Sequence, residues 1–193
     1  MKKSAIALAV GVALSGLLAA CGGSDDGPVD LPSVSNPGKF FNRTATFAVC
    51  AQFGSSCEDS TPTAAEIVAA SEDGMALVYT NSLKGEVGFV DITDPTAPKG
   101  LGMLAMGGEP TSVTVLGGHA LVAVNTSANF VNASGKLVVV DMAKRSIVTE
   151  IQLGGQPDSV ARSKDGQYVA VVIENERDES LNKGALPQAP SGY

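Results

Sequence analysis

The chain is poor in the side chains on which many catalytic and nucleic-acid-binding proteins depend. It has one histidine, His119, and no Gly-x-Ser-x-Gly elbow, so the usual serine-hydrolase arrangement lacks its parts. Basic residues are few: 13 Lys and Arg against 20 Asp and Glu give a formal net charge of −7. Such a surface carries no positive footprint for a phosphate backbone, so nucleic acid is not an expected partner. A helical period is absent over most of the 193 residues, where Val, Ile and Thr dominate instead.

What is present is repetition. Ile67–Tyr79, Ser112–Val124 and Ser159–Val171 are versions of one passage, and their anchor valines Val68, Val113 and Val160 lie 45 and 47 residues apart. A period of about 40–50 residues built from short apolar strands is the signature of a β-propeller blade. The second repeat predicts four strands: Thr111–Val115, Ala120–Asn125, Lys136–Asp141 and Ser146–Leu153. In the first repeat, Glu86–Asp91 matches Lys136–Asp141. Pro62–Ala70 could be read as a short helix, but the repeat favours a strand at Glu66–Ala70. Gly107-Gly108-Glu109-Pro110 and Gly154-Gly155-Gln156-Pro157 restart the cycle. Their Gly-Gly pairs are expected at positive φ, and Pro110 and Pro157 just ahead of the inner strand. Asp73-Gly74 and Asp165-Gly166 read as two-residue hairpin turns.

The expected fold is all-β: about two and a half four-stranded blades, the N-terminal fragment of a propeller that is seven-bladed when complete. Closed propellers have about 4–8 blades, and the sequence stops where the third strand of the third repeat is due. The domain division is 1–20 signal peptide, 21–40 flexible tether and 41–193 incomplete propeller.

The first residues read as an export signal. Lys2 and Lys3 precede the apolar run Ala5–Ala13, which is too short to span a bilayer comfortably, and Leu18-Ala19-Ala20-Cys21 closes it. That last motif resembles the lipobox of bacterial lipoproteins; the competing reading is an ordinary secretory signal cleaved nearby. The resemblance implies cleavage before Cys21 and lipidation of its sulfur. With Gly22 following, it implies a Gram-negative outer-membrane lipoprotein on the periplasmic or cell-surface side. Cleavage removes Lys2 and Lys3, two positive charges, and takes the net charge from −7 to −9. The lipid, not electrostatic attraction, would then hold the protein to the membrane. Gly, Ser, Asp and Pro from Gly22 to about Gly38 cannot bury a core and make a tether. Cys50 and Cys57 remain. In an oxidising compartment a small disulfide loop is the default, with a metal site or a free thiol pair as the alternatives.

Residues 157–171 carry Pro-x-x-Val followed by Ser-x-Asp-Gly-x-x-Val-x-Val; 65–79 carry it in part, and 110–124 with Gly117-Gly118 in place of Asp-Gly. This pattern resembles the YVTN and lactonase-like (WD40-type) propellers of bacterial surface proteins. A shorter stretch, Ile173–Glu179 with Leu186-Pro187-Gln188, resembles exported phytase-like and esterase-like propellers.

Three candidate sites emerge. Loops between the second and third strands of each blade, 81–85, 126–135 and 174–192, share one face and lengthen along the chain. The third holds Glu174, Glu176, Asp178 and Glu179, which could ligate Ca²⁺ through oxygen, as the phytase-like resemblance implies; the plainer reading is a solvated loop whose Arg177 pairs with a neighbour. His119 is expected in an exposed turn without a catalytic partner. Asp91 and Asp141 end equivalent strands and are expected to make blade-stabilising hydrogen bonds. Two functions follow: a lipid-anchored binding or interaction propeller whose face loops take a protein, polymer or small-molecule ligand, or a Ca²⁺-dependent phytase-like or esterase-like hydrolase.

Overall fold

A computed structural model describes residues 42–53, 57, 62–181 and 183. Ten strands run through them in chain order: β1 Ala65–Ala70, β2 Ala76–Asn81, β3 Glu86–Asp91, β4 Lys99–Ala105, β5 Glu109–Leu116, β6 His119–Asn125, β7 Gly135–Asp141, β8 Ser146–Leu153, β9 Pro157–Arg162 and β10 Val169–Ile173. They form two four-stranded antiparallel meanders, β1-β2-β3-β4 and β5-β6-β7-β8, and a two-stranded pair, β9-β10. Two blades and the inner half of a third make a partial β-propeller. The stretch before Ala70 is strand, not helix, and β8 has the bounds that its alternation predicts. The signal and tether segments, with Cys21, lie outside the described residues.

The period of two explains how the sheets stack. Along β6, Ala120, Val122 and Val124 enter one core with Val78, Val87, Phe89 and Met106 of the first blade. Leu121 and Ala123, pointing the other way, join Leu137 and Val160 in a second core against the third sheet. A strand between two sheets is thus apolar on both faces, which is why Ala120–Val124 reads as a continuous run. The outer strand β8 is exposed at seven of its eight positions, Val148 and Ile151 included. The third sheet has two strands among the described residues, and its inner pair does not reach far enough to cover β8.

The turns differ from their expected form. Ser71–Met75 and Ser163–Tyr168 are longer than two residues and are knotted by side chains. Ser71 Oγ donates to Asp73 Oδ1 at 2.6 Å and accepts from Ala76 N at 2.9 Å. Ser163, Asp165 and Tyr168 repeat the arrangement. The serine two residues before each aspartate widens the loop because its hydroxyl replaces a ladder partner. The genuine two-residue hairpin is Gly117-Gly118, where Leu116 pairs with His119 and both glycines have positive φ (57° and 78°).

Of the four glycines before the inner strands, Gly107 alone has positive φ. Gly155 is needed for close approach instead: a Cβ there would lie 2.4 Å from Asn175 Oδ1. Pro110 is the second residue of β5 and Pro157 the first of β9, each beside a register irregularity where the ladder needs no N–H.

Cys50 and Cys57 are disulfide-bonded, which settles the pair in favour of the bridge. The bonded loop sets a 3-10 turn, Val49–Phe53, against β4. Gln52 there donates to Tyr79 Oη at 2.6 Å and accepts from Gly102 N at 2.8 Å, so it satisfies an amide on the outer strand.

Candidate functional site

All inner strands start at one face of the molecule, here the upper face. The connections β2–β3, β6–β7 and the residues after β10 share it, as do the β4–β5 and β8–β9 crossings; the hairpins at 71–75, 117–118 and 163–168 lie opposite.

The β6–β7 connection is preorganised by its own polar side chains. Ser127 Oγ donates to Ser134 O at 3.1 Å and accepts from Ser134 N at 3.0 Å, while Thr126 and Ser134 hydroxyls meet at 2.9 Å. Asn129 Oδ1 accepts from the amides of Val131 (2.9 Å) and Asn132 (2.8 Å) and closes the tip. Its apolar residues are therefore driven outward: Phe130 and Val131 are 47% and 44% exposed. Phe130 and Val131 thus present apolar surface at the tip of the loop.

Across from it, the third sheet brings up Gln156 and the segment after β10. Gln156 N donates to Asn175 Oδ1 at 2.8 Å, Glu174 N donates to Gln156 O at 3.0 Å, and Glu176 N donates to Gln156 Oε1 at 3.2 Å. Asn175 takes positive φ (53°) to do so. Between the two walls lies a cleft of ≈ 230 Å³ lined by Glu109, Asn125, Ser127, Phe130, Gln156 and Glu176. It shares Phe130 and Glu176 with a wider cleft of ≈ 710 Å³ that runs along Glu174–Ser180. Asn125 Nδ2 donates to Glu109 Oε2 at 3.4 Å and ties the strand ends together.

Glu174, Glu176, Asp178 and Glu179 all line the wider cleft. They are strung along one backbone segment, and no group of three His, Cys, Asp or Glu converges as a metal-ligand set among the described residues. Asp178 accepts from the Ser180 hydroxyl and amide, which hold its carboxyl below the usual aspartate range. The expected pairing of Arg177 with a neighbour is not made among the described residues.

His119 stands at the edge of the Gly117-Gly118 turn, and the one hydrogen bond of its ring among the described residues is to a backbone carbonyl. It opens β6 at the lower face, half-buried, with Nδ1 2.9 Å from Gly117 O. Asp91 and Asp141 behave as expected: Asp91 accepts from Thr93 N at 2.8 Å and Asp141 from Lys144 N at 2.8 Å. These bonds lower both carboxyl pKa values, first through the Thr93 side chain and the Lys144 backbone respectively.

Gln156, Glu109 and Phe130 are the site residues that the sequence reading passed over. A signal for two of them existed. Glu109 and Gln156 fill the same place in the two Gly-Gly-x-Pro passages, and a polar residue repeated at the start of an inner strand faces the upper mouth.

Among solved structures the chain is similar to hydrazine synthase of Kuenenia stuttgartiensis, at 22% identity and TM-score 0.49, over 57% of this chain and 30% of that one. It is similar to a luciferin-regenerating enzyme at 20% identity and TM-score 0.44, covering 61% and 41%. For glutaminyl cyclase of Myxococcus xanthus the values are 15% and 0.41, covering 57% and 44%. The chain thus spans less than half the length of each of these structures. No curated protein matches it. The family description "Choice-of-anchor I domain" matches residues 66–192, from the first strand onward and more than half of the sequence. The chain belongs to the choice-of-anchor I domain family.

Proposed function

We propose that the protein is an extracytoplasmic binding module, held at a membrane by lipid on Cys21, that captures its ligand at the upper face. The observation that carries this reading is the cleft between the stapled Phe130 loop and the Gln156–Glu176 wall, whose shape is fixed by hydrogen bonds before any ligand arrives. Family membership supports a secreted or cell-surface setting. Lys2, Lys3, the apolar run and Leu18-Ala19-Ala20-Cys21 supply the signal and anchor, with an outer-membrane position as the finer proposal. Within β-propellers, the repeated Pro-x-x-Val and Ser-x-Asp-Gly passages support kinship with YVTN and lactonase-like members.

The hydrolase alternative gains no such observation. Its carboxylates Glu174, Glu176, Asp178 and Glu179 follow one another along a single segment and do not converge as a ligand set among the described residues.

Phe130→Ala and Glu176→Gln should weaken retention of the intact protein on envelope material from its own organism. Lys164→Ala, in a lower-face hairpin, should not. Equal retention of all three would contradict the upper-face assignment.

A further inference from the structure

We infer that the ≈ 230 Å³ cleft is a saccharide subsite that takes one ring of a neutral glycan. This rests on the binding-module reading above and adds the chemical class of the ligand.

Gln156 is the observation that points to it. The side chain lines the cleft with the residue only 8% exposed. Its Oε1 accepts from Glu176 N, and a backbone N–H can only donate, so the amide orientation is fixed. The NH₂ group is then turned away from Glu176 N, on a side chain that lines the cleft. A donor fixed in orientation and open to the cleft is placed to meet an acceptor on a ligand.

Beside this donor stand acceptors. Glu109 and Glu176 present carboxylates to the same cleft, and Phe130 adds an exposed ring. Divalent cations use acceptors only; lysine and arginine side chains donate only; a phosphate accepts only. A hydroxyl both donates and accepts, so a polyhydroxyl ligand uses the Gln156 donor and the carboxylates at once. The apolar C–H face of a sugar ring suits the face of Phe130. The volume lies below the roughly 300–1,000 Å³ of sites for drug-sized ligands, which limits the cleft to a single small ring. The wider cleft, entered past Phe130 and Glu176, gives adjoining units a path. Its Glu174, Asp178 and Glu179 repel sulfated and uronate chains and select neutral ones.

The test is saturation-transfer NMR with titration calorimetry on the full chain. The probes are maltohexaose, cellohexaose and chitohexaose, with heparin, CaCl₂ and trilysine as competing classes. At least one neutral hexasaccharide should bind, and heparin should not. Phe130→Ala, an exposed ring whose loss leaves the melting temperature unchanged, should weaken binding roughly tenfold or more, the scale of one good contact. Gln156→Glu keeps the acceptor for Glu176 N and turns the donor into an acceptor; it should abolish saccharide binding. If CaCl₂ or trilysine binds, Phe130→Ala weakens that binding, and no hexasaccharide binds, the saccharide assignment falls while the upper-face reading stands. If a hexasaccharide binds equally well to Phe130→Ala and to Gln156→Glu, it binds elsewhere and both readings fall. No binding of any probe overturns the saccharide assignment.

Discussion

The backbone amide of Val160 donates to the hydroxyl of Ser112 at 3.1 Å, buried between the second and third inner strands. Beside it Thr111 Oγ1 donates to Pro157 O at 2.9 Å. These bonds tie one blade to the next where no sheet ladder runs. Ser112→Ala should therefore destabilise by about 1–2 kcal/mol, the cost of a lost partner for a buried group. The urea midpoint should fall with the slope unchanged. An unchanged midpoint would mean that the junction is held by apolar packing alone.

The Cys50–Cys57 loop is expected to act through Gln52. Replacing both cysteines by serine should cost about 2–3 kcal/mol on the loop-entropy scale and loosen the bonds from Gln52 to Tyr79 and Gly102. Burial raises the Tyr79 pKa above 10.0, the Gln52 hydrogen bond opposes the rise, and the charge of Glu86 adds to it. A raised pKa means that the neutral phenol favours the folded state. That stabilisation is full below pH 10.0 and is lost as pH rises through the folded value. Gln52→Ala should move the Tyr79 titration further up, as read by ultraviolet difference titration.

The two Ser-x-Asp-Gly turns should titrate alike. The Ser71 hydroxyl, then the Met75 amide, lowers the Asp73 pKa; the Ser163 hydroxyl, then the Gln167 amide, lowers that of Asp165. A depressed carboxyl contributes stability above its ordinary value of 3.8 and loses it as pH falls through the folded value. Ser71→Ala and Ser163→Ala should each return the adjacent carboxyl toward that value in carbon-detected NMR titrations. No movement would show that the backbone amides alone set the shift.

Gly155→Ala tests the close approach beside the cleft. Its Cβ would meet Asn175 Oδ1 at 2.4 Å and Ile173 Cγ2 at 2.7 Å, both held in place by neighbours. Destabilisation of about 1–3 kcal/mol is expected from such overpacking, and the displaced Asn175 should loosen Gln156 and weaken ligand capture. A variant with unchanged melting temperature and binding would contradict the proposed wall.

The blade order was legible because the repeat is a property of packing: a strand between two sheets, such as His119–Asn125, is apolar on both faces and recurs once per blade. Ser146–Leu153 and the Cys50–Cys57 bridge followed from pattern and compartment. The Asp-Gly turns were misread because Ser71 and Ser163 lengthen them through bonds that a dipeptide signal does not contain. The cleft was harder still. Glu174 to Glu179 drew attention by charge, yet the residue that orients the site is the uncharged Gln156, whose bond to Glu176 crosses 20 residues. Its partner wall, Phe130, comes from another blade.

Hydrogen–deuterium exchange of the full chain, with and without envelope material from its own organism, tests the central claim most directly. Ligand capture at the upper face should slow exchange at 126–134 and 174–181 and leave the hairpins at 71–75, 117–118 and 163–168 unchanged. Protection confined to those lower hairpins would contradict the account.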